Sequence, residues 1–315
     1  MSQPPPPSPS TANIQSTRVN AGRGDGIKPP GWALLALVVV FSWPLFQLMR
    51  FALGSDLYSH VLLIPFVSAY LVWSKRAHLA PSGTRLHWGW TMTLVLAGGA
   101  MLTVYFLKLF SPPPRAPQDT LAFAMYSLVL FLTGACCWFC SRPTLRAIAF
   151  PLGFLFFMAP FPVGVEAGLE TFLQHGSSVV AHTFFQIIGT PVFREGTLFH
   201  LPGFNMQVAP ECSGIHSTVA LFITSLVAGQ VLLRSNWNRA ILALVVIPIA
   251  LLRNGLRVTT IGELCVRIGP EMIDSYIHRH GGPIFFAISL IPFSFALFLL
   301  LKTDRKKKPL LNPTP

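Results

Sequence analysis

The 315 residues are 52% hydrophobic and 11% charged, with a mean hydropathy of +0.57. Soluble globular domains carry about 25% charged residues, so the composition excludes one and indicates a polytopic membrane protein. The formal net charge of +12 does not point to nucleic acid, because the cations fall between apolar runs rather than on a basic face interleaved with aromatics.

Residues 1–30 are rich in Pro and Ser and read as a disordered cytoplasmic tail without the layout of a cleavable signal peptide. Apolar runs then predict eight transmembrane helices, at about 32–53, 57–73, 88–110, 120–139, 145–161, 212–233, 239–259 and 283–301. They form one transmembrane domain over 31–302, followed by a basic cytoplasmic tail over 303–315. With the N-terminus inside, 15 of the 23 Lys and Arg residues fall on the cytoplasmic side, as the positive-inside rule requires. Both termini are then cytoplasmic, and the start of the sixth span faces outward.

The stretch 165–188 is long enough to span, yet its pattern is amphipathic. Glu166, Glu170, Gln174, Ser178, His182 and Gln186 recur every four residues with apolar residues between them. The expected place is the outer interface or a protein-lined groove, either as a structural surface helix or as a wall of the substrate path. Next come two partly alternating stretches around Pro202-Gly203, which suits the centre of a type II turn. The expectation is a short β-hairpin on the extracytoplasmic side, so the fold class is all-α polytopic with about eight spans, one amphipathic helix and this hairpin.

The hairpin leads into Val208-Ala209-Pro210-Glu211-Cys212-Ser213-Gly214-Ile215-His216-Ser217. Pro210 ends the preceding structure, and Cys212 falls at the start of a long apolar helix. Unpaired N–H groups and the helix dipole lower a thiol pKa there, although a small buried cysteine is the plainer reading of position alone. Downstream, Arg253 and Arg257 stand at i and i+4 on one helical face beside Asn254. Charges at membrane depth are costly and mark either an anchored helix end or a functional site. His278 and His280 precede the last helix beside Gly281-Gly282, and His216 lies one turn below Cys212. A Cys, an Arg and a His at one surface suit acyl transfer through a nucleophile, an oxyanion partner and a proton donor. The five cysteines form no disulfide framework, and Cys137-x-x-Cys140 lacks a nearby His or second pair, so neither metal nor cofactor is expected.

Here the chain resembles the exosortase/archaeosortase family of membrane cysteine transpeptidases. The resemblance rests on Glu211-Cys212-Ser213-Gly214-Ile215, on Asn254-Gly255-Leu256-Arg257 and on His278 with Gly281-Gly282. Upstream, Tyr58-Ser59-His60, Pro65 and Tyr70-Leu71-Val72-Trp73 extend it. It implies Cys212 as nucleophile, Arg257 as catalytic arginine and His278 as the third member. Arg253 and Asn254 are then supporting residues, with His216 and His280 as alternative bases. It further implies a bacterial inner-membrane enzyme linked to exopolysaccharide loci. Its partners would be exported proteins ending in a short Pro-Glu-Pro-like motif, a transmembrane helix and a basic tail, met within membrane lipid and without nucleic acid. The competing expectation is a transporter or lipid-handling protein with an arginine-lined pocket; a membrane O-acyltransferase is weaker, for want of an acyl-donor motif.

Overall fold

The computed structural model describes residues 31–55, 57–76, 88–109, 117–275 and 281–306. The expected 1–30 tail, most of the basic tail, and His278 and His280 lie outside the described residues. Ten α-helices are described: α1 (Gly31–Val40), α2 (Ser42–Leu53), α3 (Ile64–Ser74), α4 (Trp88–Leu109), α5 (Pro117–Phe139), α6 (Arg142–Phe154), α7 (Val163–Ile188), α8 (Ile215–Leu232), α9 (Asn236–Arg267) and α10 (Gly282–Lys306). Between α7 and α8 run three short strands, β1 (Phe193–Glu195), β2 (Leu198–Leu201) and β3 (Phe204–Gln207).

Among the described residues five helices, α4, α5, α8, α9 and α10, are long and apolar enough to cross a membrane. The count rises to six if the bent pair containing α6 and α7 is one span. Hydropathy suggested eight spans, and the remaining apolar runs are built from shorter helices. Within the first apolar run, Pro44 cannot bond back to Val40, and the helix breaks at Phe41 between α1 and α2. The second run holds a 3-10 turn and the 11-residue α3, about 16 Å long against the ~30 Å of a hydrocarbon core. In the fifth, α6 has 13 residues and closes in a 3-10 turn, Leu155–Met158.

The helix α7 turns 92° away from the segment containing α6. Its start is fixed by Asp119 of α5, whose Oδ1 accepts the Val163 N–H at 2.9 Å, a carboxylate placed where the helix dipole favours it. Part of its polar stripe turns inward. Val165, Phe172, Val179 and Ile187 are exposed, whereas Gln174 and Glu166 turn toward the protein and Ser177 and Ser178 are fully buried. Leu173, Ala181 and Phe185 are buried beside those serines, so the inner face is mixed, and the apolar outer face suits a helix whose solvent is lipid.

The longest helix, α9, has 32 residues, about 48 Å, and outruns a hydrocarbon core by a dozen residues. Its buried residues recur every three or four positions, through Leu242, Val246, Ala250, Asn254, Val258, Ile261 and Cys265. It packs antiparallel to α8, with Gly214 beside Arg253 and Gly229 beside Arg239. It also packs parallel to α7, since the neighbours Gly176–Leu251, Val180–Gly255 and Phe185–Gly262 ascend together. Asp304 of α10 ties down its N-terminal end, accepting from Arg234 N at 2.7 Å, Ser235 N at 3.3 Å and Asn238 Nδ2 at 2.6 Å.

The strands form one antiparallel sheet in the order β1-β2-β3, with Leu201 opposite Phe204 across the Pro202-Gly203 turn. Gly203 has φ +88°, as the third position of a type II turn requires. Period-2 alternation buries Phe199, Leu201, Met206 and Val208 against Ala181 and Phe185 of α7 and Val258 and Ile261 of α9. The sheet therefore sits over the joined ends of α7 and α9 and delivers the chain to residue 210.

Close approach of α7 and α9 yields a test. A Cβ on Gly255 would lie 2.5 Å from Val180 Cγ1 and 3.2 Å from Ala181 N, whereas one on Gly99 meets nothing within 4 Å. Gly255→Ala should destabilise the protein by about 1–3 kcal/mol, and Gly99→Ala should be neutral or mildly stabilising. Melting temperatures of the two variants in one detergent check this; equal values would refute the packing.

Candidate active site

Cys212 ends a 3-10 turn, Pro210–Cys212, and is followed by Ser213 in the right-handed region and Gly214 in the left-handed one, φ +77° and ψ +19°. Gly214 is the N-cap of α8, so the chain makes a sharp elbow between the end of the sheet and a helix. Cys212 N–H donates to Ala209 O at 2.9 Å and Ser213 N–H to Pro210 O at 2.9 Å, closing the turn. Pro210 suits this position, because its missing N–H is not needed at the first residue of a helical turn.

The elbow is gripped from α9. Asn254 Nδ2 donates to the carbonyl of Cys212 itself at 2.9 Å. Arg253 Nη2 donates to Gly214 O at 3.0 Å and lies 3.4 Å from Thr218 Oγ1. Both side chains are buried, Arg253 at 5% and Asn254 at 2% exposure. A second grip comes from α7: Gln174 Nε2 donates to Val208 O, four residues before Cys212. Val208 N–H in turn donates to Thr197 O at 3.0 Å. The backbone from Val208 to Gly214 is thus fixed by side chains of two parallel helices.

One helical turn beyond Arg253, Arg257 faces a different space. It lines, with Cys212, a cleft of about 30 Å³ whose remaining walls are Met206, Gln207, Val208, Val258, Ile261 and Ile273. That is room for about two waters, so the cleft is a narrow slot. Its walls are almost all apolar. A guanidinium in such a setting interacts with developing negative charge more strongly than it would in water.

The two arginines on one helical face therefore stand apart in their surroundings: Arg257 lines the cleft with Cys212, and Arg253 holds the backbone. His216 is exposed on the first turn of α8 and is not among the cleft residues. His278 and His280 follow Ser275 in a segment outside the described residues. The 3-10 turn Pro270–Asp274 contributes Ile273 to the cleft wall. The Cys136, Cys137 and Cys140 group lies at the opposite end of α5 from Asp119, which meets α7. Among the described residues no cluster of three or more His, Cys, Asp or Glu is placed to hold a metal ion.

Sequence reading passed over Thr218 and the role of Gln174. Gln174 was visible only as one member of the polar stripe on α7. Thr218 had a weak signal, a hydroxyl four residues after a helix-starting glycine, where it can bond that glycine's carbonyl; it does so at 2.8 Å.

The elbow makes a paired prediction. A Cβ on Gly214 would lie 2.6 Å from Arg253 Nη2, besides its left-handed backbone; Gly203 has a similar φ but open space around it. Gly203→Ala should cost about 1–2 kcal/mol, and Gly214→Ala about 2–5 kcal/mol because overlap adds to strain. Thermal unfolding of both variants measures the difference, and equal losses would contradict the grip of Arg253 on the elbow.

No curated protein and no solved structure matches the chain. A family model described as transmembrane exosortase matches residues 50–295, which takes in the elbow, α9 and most of α10. On that match, covering well over half of its length, the chain belongs to the transmembrane exosortase family.

Proposed function

We propose that the protein is a membrane cysteine transpeptidase or endopeptidase that cleaves the C-terminal sorting signal of exported proteins. The observation that carries this reading is the shared cleft: Cys212 and Arg257 line one slot, at a backbone elbow held by Asn254 and Arg253. Family membership supports the reaction class.

In this reading His278 takes the Cys212 thiol proton and the thiolate attacks the scissile carbonyl carbon, forming a C–S bond and placing negative charge on the carbonyl oxygen. Arg257 stabilises that oxyanion, and the positive end of α8 adds to the same field. The C–N bond then breaks as His278 gives a proton to the departing amine, which is a poor leaving group unprotonated. An amine or water attacks the thioester and releases Cys212. Arg253 and Asn254 are positioning residues. His216 and His280 are the alternative proton donors, and His216 is the weaker because it stands outside the cleft.

We place the protein in the bacterial inner membrane with both termini cytoplasmic and the Cys212 end outward. The charge asymmetry of the loops supports this. A substrate helix spanning the same membrane, with its basic tail inside, would then carry its Pro-Glu-Pro-like motif at the level of the elbow.

Processing of a tagged substrate tests the assignment. Cys212→Ala and Cys212→Ser should each abolish cleavage at normal protein levels; unchanged cleavage in both would sink the proposal and favour a transporter with an arginine-lined pocket. Arg257→Gln should lower kcat by about 10²–10³ with little change in melting temperature. Arg253→Gln, by contrast, should lower activity and melting temperature together. For the proton donor, His278→Gln should cost about 10²–10⁴ in rate, against a few-fold for His216→Gln; the reverse order would reassign the role.

A further inference from the structure

A second polar site lies away from Cys212. Arg50 in the last turn of α2 and Lys108 in the last turn of α4 are far apart in sequence, yet both line one cavity of about 320 Å³. Gln47 and Thr120 add polar groups to its wall, and Phe51 and Leu121 add apolar ones. The cavity opens at the end of the bundle where α5 begins and meets α7, the end that also carries the Cys212 elbow.

Among the described residues neither cation is ion-paired. Lys108 Nζ lies 4.3 Å from the Phe123 ring centroid, a cation–π contact that leaves its N–H donors able to reach an anion. Asp119, the acid one residue before Thr120, is turned instead to the Val163 N–H through its Oδ1. A helix C-terminus favours a cation, which accounts for either residue alone but not for their meeting in one cavity. Nor does topology account for them, because in the proposed orientation cations are disfavoured on this side.

We infer that this cavity is a phosphate-anion site, with Arg50 and Lys108 as the binding cations and Gln47 and Thr120 as neutral partners. Arg offers a planar fork for two phosphate oxygens and Lys a point charge for a third. The cavity exceeds a bare phosphate, and its largely apolar wall suits the first carbons of an acyl chain. A basic pocket between helices at a membrane surface is a recurrent setting for anionic headgroups. The phosphate of an anionic phospholipid, with no choline cation to oppose Arg50 and Lys108, is the form it fits best, and free phosphate is the other source of the same chemistry.

The test uses the purified full-length protein in neutral detergent, titrated separately with phosphatidylglycerol, phosphatidylcholine and inorganic phosphate. Bound lipid is read by native mass spectrometry and stabilisation by melting temperature. Phosphatidylglycerol should bind the native protein and bind R50Q/K108Q at least about tenfold more weakly, while R50K/K108R keeps most of the affinity. If inorganic phosphate gives the same shift with the same dependence on both cations, the site stands with a free anion as its ligand. Should the double variant fail to fold, the single variants R50Q and K108Q carry the test, each weakening binding about threefold or more. Equal phosphatidylglycerol binding by native and variant proteins, or equal binding of phosphatidylcholine, overturns the inference.

Discussion

The catalytic geometry proposed for this protein depends on two adjacent side chains of α9. Asn254 donates to the carbonyl of Cys212, and Arg253 to the carbonyl of Gly214. These are hydrogen bonds to backbone, so they fix where the elbow runs rather than what the cysteine does. Arg253 is nearly fully buried, and desolvating a guanidinium is costly. Among the described residues no carboxylate pairs with it, so its charge is answered by carbonyl and hydroxyl dipoles alone. Together with Arg257 and the start of α8, it makes the region around Cys212 electropositive. Such a field favours whatever negative charge develops there.

That grip requires α8 and α9 to stay in close register, and the register is set by small residues. Gly214 lets Arg253 and Asn254 reach the elbow, and Gly255 lets α7 press against the same turn of α9. Packing without side-chain bulk is the usual way for helices to approach closely in lipid, where no hydrophobic force draws them together. The outer face of α7 carries Val165, Phe172, Val179 and Ile187 toward the same solvent, while Leu173, Ala181 and Phe185 are buried beside its polar groups. Among those groups, Glu166 accepts from Tyr58 and Gln118, and Gln174 holds the strand before Cys212.

How much of this was written in the sequence varies by feature. Cys212 close to a helix start and the paired arginines were legible, because proline and i, i+4 spacing are local signals. Where the apolar runs break was not. An apolar run carries the same hydropathy whether or not its helix is broken, as at Phe41, or ends after 11 residues, as α3 does. Spacing alone did not tell which arginine faces the cleft, since i and i+4 share a face and the position of the elbow separates them; the family resemblance alone singled out Arg257. The third strand, β1, was too short to carry a pattern, and the role of Gln174 depends on a contact 34 residues along the chain.

The most direct test of the account is to trap the covalent intermediate. The native protein would be incubated with a sorting-signal peptide and no amine acceptor, quenched in acid and digested for mass spectrometry. The account predicts the peptide fragment ending at the scissile bond, attached as a thioester to Cys212 and released by hydroxylamine. Cleavage that proceeds with no adduct at Cys212, or with an adduct on another residue, would contradict it.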